Sequence, residues 1–166
     1  MAQITLQGNP INTAGELPAV GSEAPDFNAV NTDLSPFKLS ELRGSKVVLN
    51  IFPSIDTGVC AASVRRFNEE ASKLEGVQIV CISKDLPFAQ ARFCGAEGLD
   101  KVKTVSLFRN GCFERGYGLA IADGALRGLT ARAVVIIDEA GKIIYTELVP
   151  EIAQDPNFEA ALAALK

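Results

Sequence analysis

From Lys46 to Phe52 the chain is apolar at nearly every position, and soon afterwards an amphipathic stripe begins at Cys60. A strand that is apolar on both sides needs cover on both sides, which a sheet flanked by helices provides. The stripe runs Cys60, Val64, Phe67, Ala71, Leu74, in steps of four and three that suit a helix with one buried face. Arg66 with Glu70 and Glu69 with Lys73 stand four apart on its wet side, each pair worth ~0.3 kcal/mol. This strand–loop–helix unit predicts an α/β fold. It also sets a thiol in the first turn of a helix, at the C-terminal edge of the sheet.

The remaining pattern extends that unit. Ile4–Gly8 and Pro10–Thr13 read as an N-terminal β-hairpin joined at Gly8-Asn9, and Leu17–Pro25 as an irregular approach. Phe27–Asn31 and Pro36–Leu39 are short strands around Asp33, and Ser40–Gly44 is a helical turn closed by glycine. Val77–Ser83 is a second central strand. Asp85 and Pro87 signal a helix start before Phe88–Cys94, with Gly95 as its stop. Thr104–Phe108 is a further strand, and Arg132–Asp138 and Lys142–Leu148 flank the hairpin turn Glu139–Gly141. Asp155-Pro156 opens a last helix that buries Phe158, Ala161, Leu162 and Leu165. The expected whole is one domain over residues 1–166, with about 1–16 as a hairpin extension of a central mixed sheet.

Several function classes drop out on composition. A net charge of -4 and the absence of a basic block give no attraction to nucleic acid or anionic lipid. No apolar run approaches the roughly 18 residues of a membrane helix, and the first residues have no signal-peptide pattern. The expected location is the cytoplasm, with the periplasm second, since a mature exported domain also lacks a signal. Histidine is absent, which excludes Cys-His and Ser-His-Asp nucleophile systems and imidazole-dependent metal or haem sites. No dinucleotide fingerprint follows a strand, so neither flavin nor nicotinamide is expected, and thiol redox chemistry, in which sulfur itself carries the electrons, calls for no bound cofactor or metal.

Four cysteines remain, Cys60, Cys81, Cys94 and Cys112, without a close Cys-x-x-Cys pair for zinc. A thiol has an ordinary pKa of ~8.5, so at neutral pH little of it is thiolate. At the start of a helix, unpaired N–H groups and the aligned peptide dipoles favour the anion. Gly58 allows close backbone approach, the Thr57 hydroxyl can reach back over Cys60, and Pro53 shields one side from water. Read from these residues alone, Pro53-x-x-x-Thr57-x-x-Cys60 is either a reactive thiol or a capped helix start with a half-buried cysteine.

The segment Asn50–Val64, with Pro53, Thr57 and Cys60, resembles the active-site stretch of the peroxiredoxins, and more narrowly the bacterial thiol peroxidases of the atypical two-cysteine branch. Asp85–Gly95 resembles that branch's resolving-cysteine helix. Gly116–Gly124 and Gly128–Val134 are similar to its later blocks. The resemblance implies a thioredoxin-like fold, a homodimer, a hydroperoxide substrate and thioredoxin as reductant. By position it implies Cys60 as the peroxidatic thiol, oxidised to sulfenic acid, and Cys94 as the resolving thiol that closes a Cys60–Cys94 disulfide. Thr57 and Arg132 then act on thiol and peroxide, and Pro53 shapes the pocket. A disulfide requires Cα atoms within about 7 Å, so two thiols on separate helices call for local unwinding, with Gly58 and Gly95 as hinges. Phe27, Phe52, Ile55, Phe93 and Leu129 are the expected apolar rim, favouring organic and lipid hydroperoxides.

Cys81 reads as a buried strand residue acting as a small hydrophobe. Cys112, in Asn110–Phe113, departs from the pattern and reads as a packing residue or a side thiol open to intermolecular bonding. Two rivals stay in view. A general disulfide oxidoreductase shares the fold but needs a second cysteine near Cys60, where Thr57 stands; a non-catalytic interaction protein makes Cys60 incidental.

Overall fold

The computed structural model describes residues 1–71, 73–109 and 111–166, apart from the side chain of Ala71. The Ala71 step of the stripe and the Asn110 corner of the expected turn lie outside the described residues. Strands β1 (Gln3–Leu6) and β2 (Asn9–Asn12) form an antiparallel hairpin. Then follow β3 (Asn28–Asn31), β4 (Pro36–Lys38), a 3-10 turn at Leu39–Leu42, β5 (Lys46–Ile51), α1 (Gly58–Ala71) and β6 (Val77–Ser83). The chain continues through α2 (Pro87–Glu97), β7 (Lys103–Ser106), α3 (Cys112–Tyr117), β8 (Ala133–Ile137), β9 (Ile143–Leu148) and α4 (Phe158–Ala164).

Seven strands make one sheet in the order β4-β3-β7-β6-β5-β8-β9. β5, β6 and β7 run parallel, as strands joined by crossover helices do, and β8 returns antiparallel to β5. Alternation along β5 explains its continuous apolar run. Val47, Leu49 and Ile51 face a core shared with the hairpin's Ile4 and Ile11 and with Phe113 and Tyr117 of α3. Val48 faces the other way, into a core with Cys60, Val64 and Phe67 of α1, Ala161 of α4 and Leu165 just beyond it. The expected mixed sheet with helices on both faces and an N-terminal hairpin is what forms.

Of the local boundaries that differ from expectation, three have a clear physical reason. The hairpin turns at Gln7-Gly8, both left-handed at φ 52° and 81°, one residue earlier than expected. The Glu151 carboxylate accepts from both turn amides, at 2.8 Å from Gln7 and 3.1 Å from Gly8, and so steadies a conformation that a non-glycine residue rarely adopts. Helix α2 runs through Gly95 and stops at Gly98, whose left-handed φ of 65° lets its N–H reach the Cys94 carbonyl. Helix α4 begins at Phe158 rather than at the expected Asp155-Pro156, capped by Asn157, whose side chain accepts from the Ala160 N–H at 3.0 Å.

Candidate active site

The sheet register gathers the site. Ile51 pairs with Ala133 across the antiparallel β5–β8 ladder, so Arg132, one residue earlier, stands beside the end of β5, where the loop to α1 leaves. Cys60 lies in the first turn of α1, among N–H groups that have no partner within the helix. Register and helix start together bring the Arg132 Nη2 to 3.1 Å from the Cys60 sulfur. Both are buried, Cys60 at 0% and Arg132 at 2% exposure.

A buried guanidinium is costly unless its donors are occupied and its charge is met. Its Nε donates to the Ile152 carbonyl at 2.9 Å, while Nη1 is buried without a partner. Among the described residues no carboxylate pairs with Arg132. The positive charge therefore stands next to a sulfur, with one donor left over. Ile152 is placed by the hairpin: Thr5 donates to the Pro150 carbonyl at 2.7 Å and accepts from the Ile152 N–H at 2.9 Å. Glu151 seals this contact through the Thr5 hydroxyl and the turn amides, which hold its carboxyl down at about 2.

The backbone of Cys60 is fixed from the other side. Ser63 Oγ donates to the Cys60 carbonyl at 2.8 Å, and Asn50 Nδ2 donates to Ser63 Oγ at 3.3 Å and to the Cys81 sulfur at 3.7 Å. Asn50 and Cys81 are register partners in β5 and β6, which explains an amide inside an apolar strand. Cys81 is fully buried, and burial pushes its thiol up to about 12, so it is an acceptor and packing group.

The loop before α1 carries the other expected residues. Pro53 is buried, and the exposed Thr57 begins the helix, its carbonyl accepting from the Ala61 N–H at 3.0 Å. The Thr57 hydroxyl donates to the Ser54 carbonyl at 3.1 Å. Nothing lies within 4 Å of where a Cβ on Gly58 would sit, so close backbone approach is not the reason for this glycine. Cys94 is half-buried in α2 and packs at the margin of the same core as Cys60, its sulfur 3.3 Å from Thr104 Oγ1. All four cysteines are reduced thiols. The Cys112 sulfur accepts from the Asn28 N–H at 3.2 Å, on the opposite face of the sheet from Cys60. Among the described residues no three metal-ligating side chains converge.

Of the expected rim, Phe52 and Ile55 belong to the core of Cys60, and Phe93 packs against it. Phe27 does not: it meets Phe113 edge-on at 4.8 Å in the core on the other face, where Leu129 also packs. Sequence reading also missed Asn50, Ser63, Asp85 and Glu151 as supports. A polar residue inside an apolar strand was a visible signal for Asn50; Ser63 reaches Cys60 by a bond within one helix turn, and Asp85 and Glu151 reach the loop before α1 and the hairpin through tertiary contacts.

The model of the Redoxin family matches residues 19–162. The thiol peroxidases of Mycobacterium bovis and Mycobacterium tuberculosis are 60% identical over 165 residues, 99% of this chain and of theirs. Among solved structures, a peroxiredoxin-like protein from Aquifex aeolicus superposes with TM-score 0.93 at 39% identity, over 98% of this chain and 95% of that one. A thiol peroxidase from Chromobacterium violaceum shares the fold with TM-score 0.91 at 20% identity, over 99% and 96% of the two chains. The mixed sheet with its hairpin is thus a thioredoxin-like fold, and the chain belongs to the Redoxin family, among its peroxidases of the peroxiredoxin type.

Proposed function

We propose that this chain, as one domain over residues 1–166, reduces hydroperoxides through a Cys60 sulfenic acid and a Cys60–Cys94 disulfide that thioredoxin then reopens. The observation that carries this reading is the buried Cys60 sulfur 3.1 Å from a buried guanidinium that has no carboxylate partner among the described residues. A thiolate there attacks the terminal oxygen of the peroxide. The O–O bond breaks, the sulfur keeps one oxygen as sulfenic acid, and the rest leaves as alcohol or water after taking up a proton. Negative charge builds on the leaving oxygen, and Arg132 Nη1, buried and unpartnered, is a donor for it. Thr57 orients the peroxide from the loop, and Pro53 keeps bulk water off the sulfur.

Cys94 then attacks the Cys60 sulfur, forming the disulfide and releasing water, and a dithiol returns both cysteines to thiols by exchange. Phe52, Ile55 and Phe93 favour an alkyl or lipid chain on the peroxide over hydrogen peroxide. A homodimer in the cytoplasm is the working form. No helix among the described residues is long and apolar enough to cross a membrane.

The test is turnover of cumene hydroperoxide and hydrogen peroxide coupled to thioredoxin, thioredoxin reductase and NADPH, for wild type, Cys60→Ser and Cys94→Ser. Loss of turnover in both variants, with an internal disulfide by intact mass in wild type alone, is expected. Turnover that survives Cys60→Ser refutes the assignment; turnover that survives Cys94→Ser moves the resolving step elsewhere.

A further inference from the structure

Asp85 stands where the sequence predicts a helix start, yet α2 begins at Pro87 without a side-chain cap. Its carboxylate turns instead to the loop in front of Cys60. Oδ1 accepts from Ser54 Oγ at 2.8 Å, and Oδ2 accepts from the Ile55 N–H at 2.6 Å and from Ser83 Oγ at 2.6 Å. Ser83 in turn accepts from Gln90 Nε2 at 3.1 Å, and Gln90, with Pro87, is what α2 buries. The Asp85 carbonyl accepts from Ser106 Oγ of β7. One acidic side chain therefore ties the loop leading to Cys60, the end of β6 and the buried side of the helix that carries Cys94.

Two surface pairs span the same gap. Arg65 of α1 meets Glu97 of α2 through two bonds of 2.8 Å and 2.9 Å, and Arg92 of α2 lies 3.8 Å from Asp56. Both are exposed and screened by solvent, so they are weak beside the partly buried Asp85 contacts.

We propose that Asp85 is a positioning residue that holds the Cys60 loop closed against α2 and so sets which way the Cys60 sulfenic acid reacts. The inference rests on the two-cysteine reading above. The sulfenic acid has two fates. Attack by the Cys94 thiol forms the S–S bond and expels water, and it requires the loop and α2 to part. Attack of the sulfenic sulfur on a second hydroperoxide takes one more oxygen, giving sulfinic acid and an alcohol, and it proceeds in the closed pocket. Contacts that keep the pocket closed speed the first oxidation and delay the disulfide.

A carboxylate suits this task because it only accepts, and all its partners here donate. Asp85→Ala removes every one of these bonds; Ser54→Ala removes one and leaves the backbone contact at Ile55. Both variants and wild type are oxidised with cumene hydroperoxide, quenched with acid and read by intact mass for thiol, disulfide and sulfinic acid, with dose series under thioredoxin recycling. In Asp85→Ala, Cys60 oxidation falls on the order of tenfold through misplacement of the loop, while the dose that yields a given sulfinic fraction rises several-fold. Ser54→Ala moves both readouts the same way by less, and decides the matter alone if Asp85→Ala does not fold. Slower oxidation with an unchanged split between disulfide and sulfinic acid overturns the proposal, because a merely structural residue gives that result. A shift toward sulfinic acid overturns it as well. Wild type that forms no Cys60–Cys94 disulfide points instead to failure of the two-cysteine reading.

Discussion

The two helices that carry the expected cysteines are seated by different means. Helix α1 buries Cys60, Ser63, Val64 and Phe67 at 0–1% exposure, and Val64 and Phe67 alone contribute ~2 kcal/mol each by leaving water. Helix α2 buries Pro87 and Gln90, leaves Phe93 and Cys94 half-buried, and contains Gly95, which costs a helix interior ~1 kcal/mol against alanine. The Cys60 sulfur sits against a fixed cation, whereas the Cys94 sulfur touches one threonine hydroxyl. On the proposed route, order is concentrated where a bond to oxygen forms at a set geometry, and looseness lies in the element that has to travel.

The largest effect should come from removing the cation. Arg132→Met leaves the sulfur and the leaving oxygen without their donor, and the rate constant for Cys60 oxidation should fall on the order of 100-fold or more. Arg132→Lys should recover little, because one ammonium cannot bond the Ile152 carbonyl and the sulfur as the planar fork does. Stopped-flow oxidation of the two variants measures this. Near-wild-type rates in Arg132→Met would place the activation of Cys60 elsewhere in the first turn of α1.

Next in size is the difference in local opening. In the reduced protein, amide hydrogen exchange across 87–97 should run at least about tenfold faster than across 58–71, since α2 has few apolar contacts to break when it opens. Equal protection of the two helices would mean that α2 opens only with the whole fold, and the disulfide would need another route.

How much of this was legible in the sequence follows the range of the forces involved. Strand β6 was readable to the residue, because seven consecutive positions declare one pattern. The start of α1 was readable within two residues. The end of α2 was misplaced because Gly95 and Gly98 are equally good local stops, and the Leu99 N–H bonding back to the Cys94 carbonyl at 3.0 Å decides between them. Arg132 could be assigned only through family resemblance: 72 residues separate it from Cys60, and an antiparallel register makes the pair. Asp85 was legible as a helix-start signal, and α2 does begin beside it at Pro87, but its bonds to Ser54 and Ile55 are tertiary and leave no mark on the sequence.

Cys81 offers a smaller test on the rigid side. Burial raises its thiol from the ordinary ~8.5 to about 12, so the neutral form is favoured in the folded state and the thiolate in the unfolded one. That contribution to stability is present below the ordinary thiol pKa and lost as pH rises toward 12. Cys81→Ala should keep peroxidase turnover, lose ~1 kcal/mol of stability at neutral pH through the missing packing, and lose less than wild type on going alkaline. Rapid alkylation of Cys81 in the native protein at pH 8 would contradict the inert role.

The smallest effect concerns Glu151, which steadies the hairpin that carries Ile152 to Arg132. The Thr5 hydroxyl, then the Gln7 and Gly8 amides, hold its carboxyl down from 4.5 to about 2, so the charged form belongs to the folded state. Its contribution is complete above pH 4.5 and fades as pH falls toward 2. Glu151→Gln should melt slightly earlier than wild type at neutral pH, with the gap closing through that window, because protonated Glu151 and glutamine then present similar neutral groups. Melting curves from pH 6 down to pH 2 read this directly. A gap of unchanged size at the acid end would mean that it does not come from the charge, and no gap at any pH would mean that the Thr5 backbone bonds to Pro150 and Ile152 hold the hairpin alone, leaving Arg132 positioned by main-chain geometry from both sides.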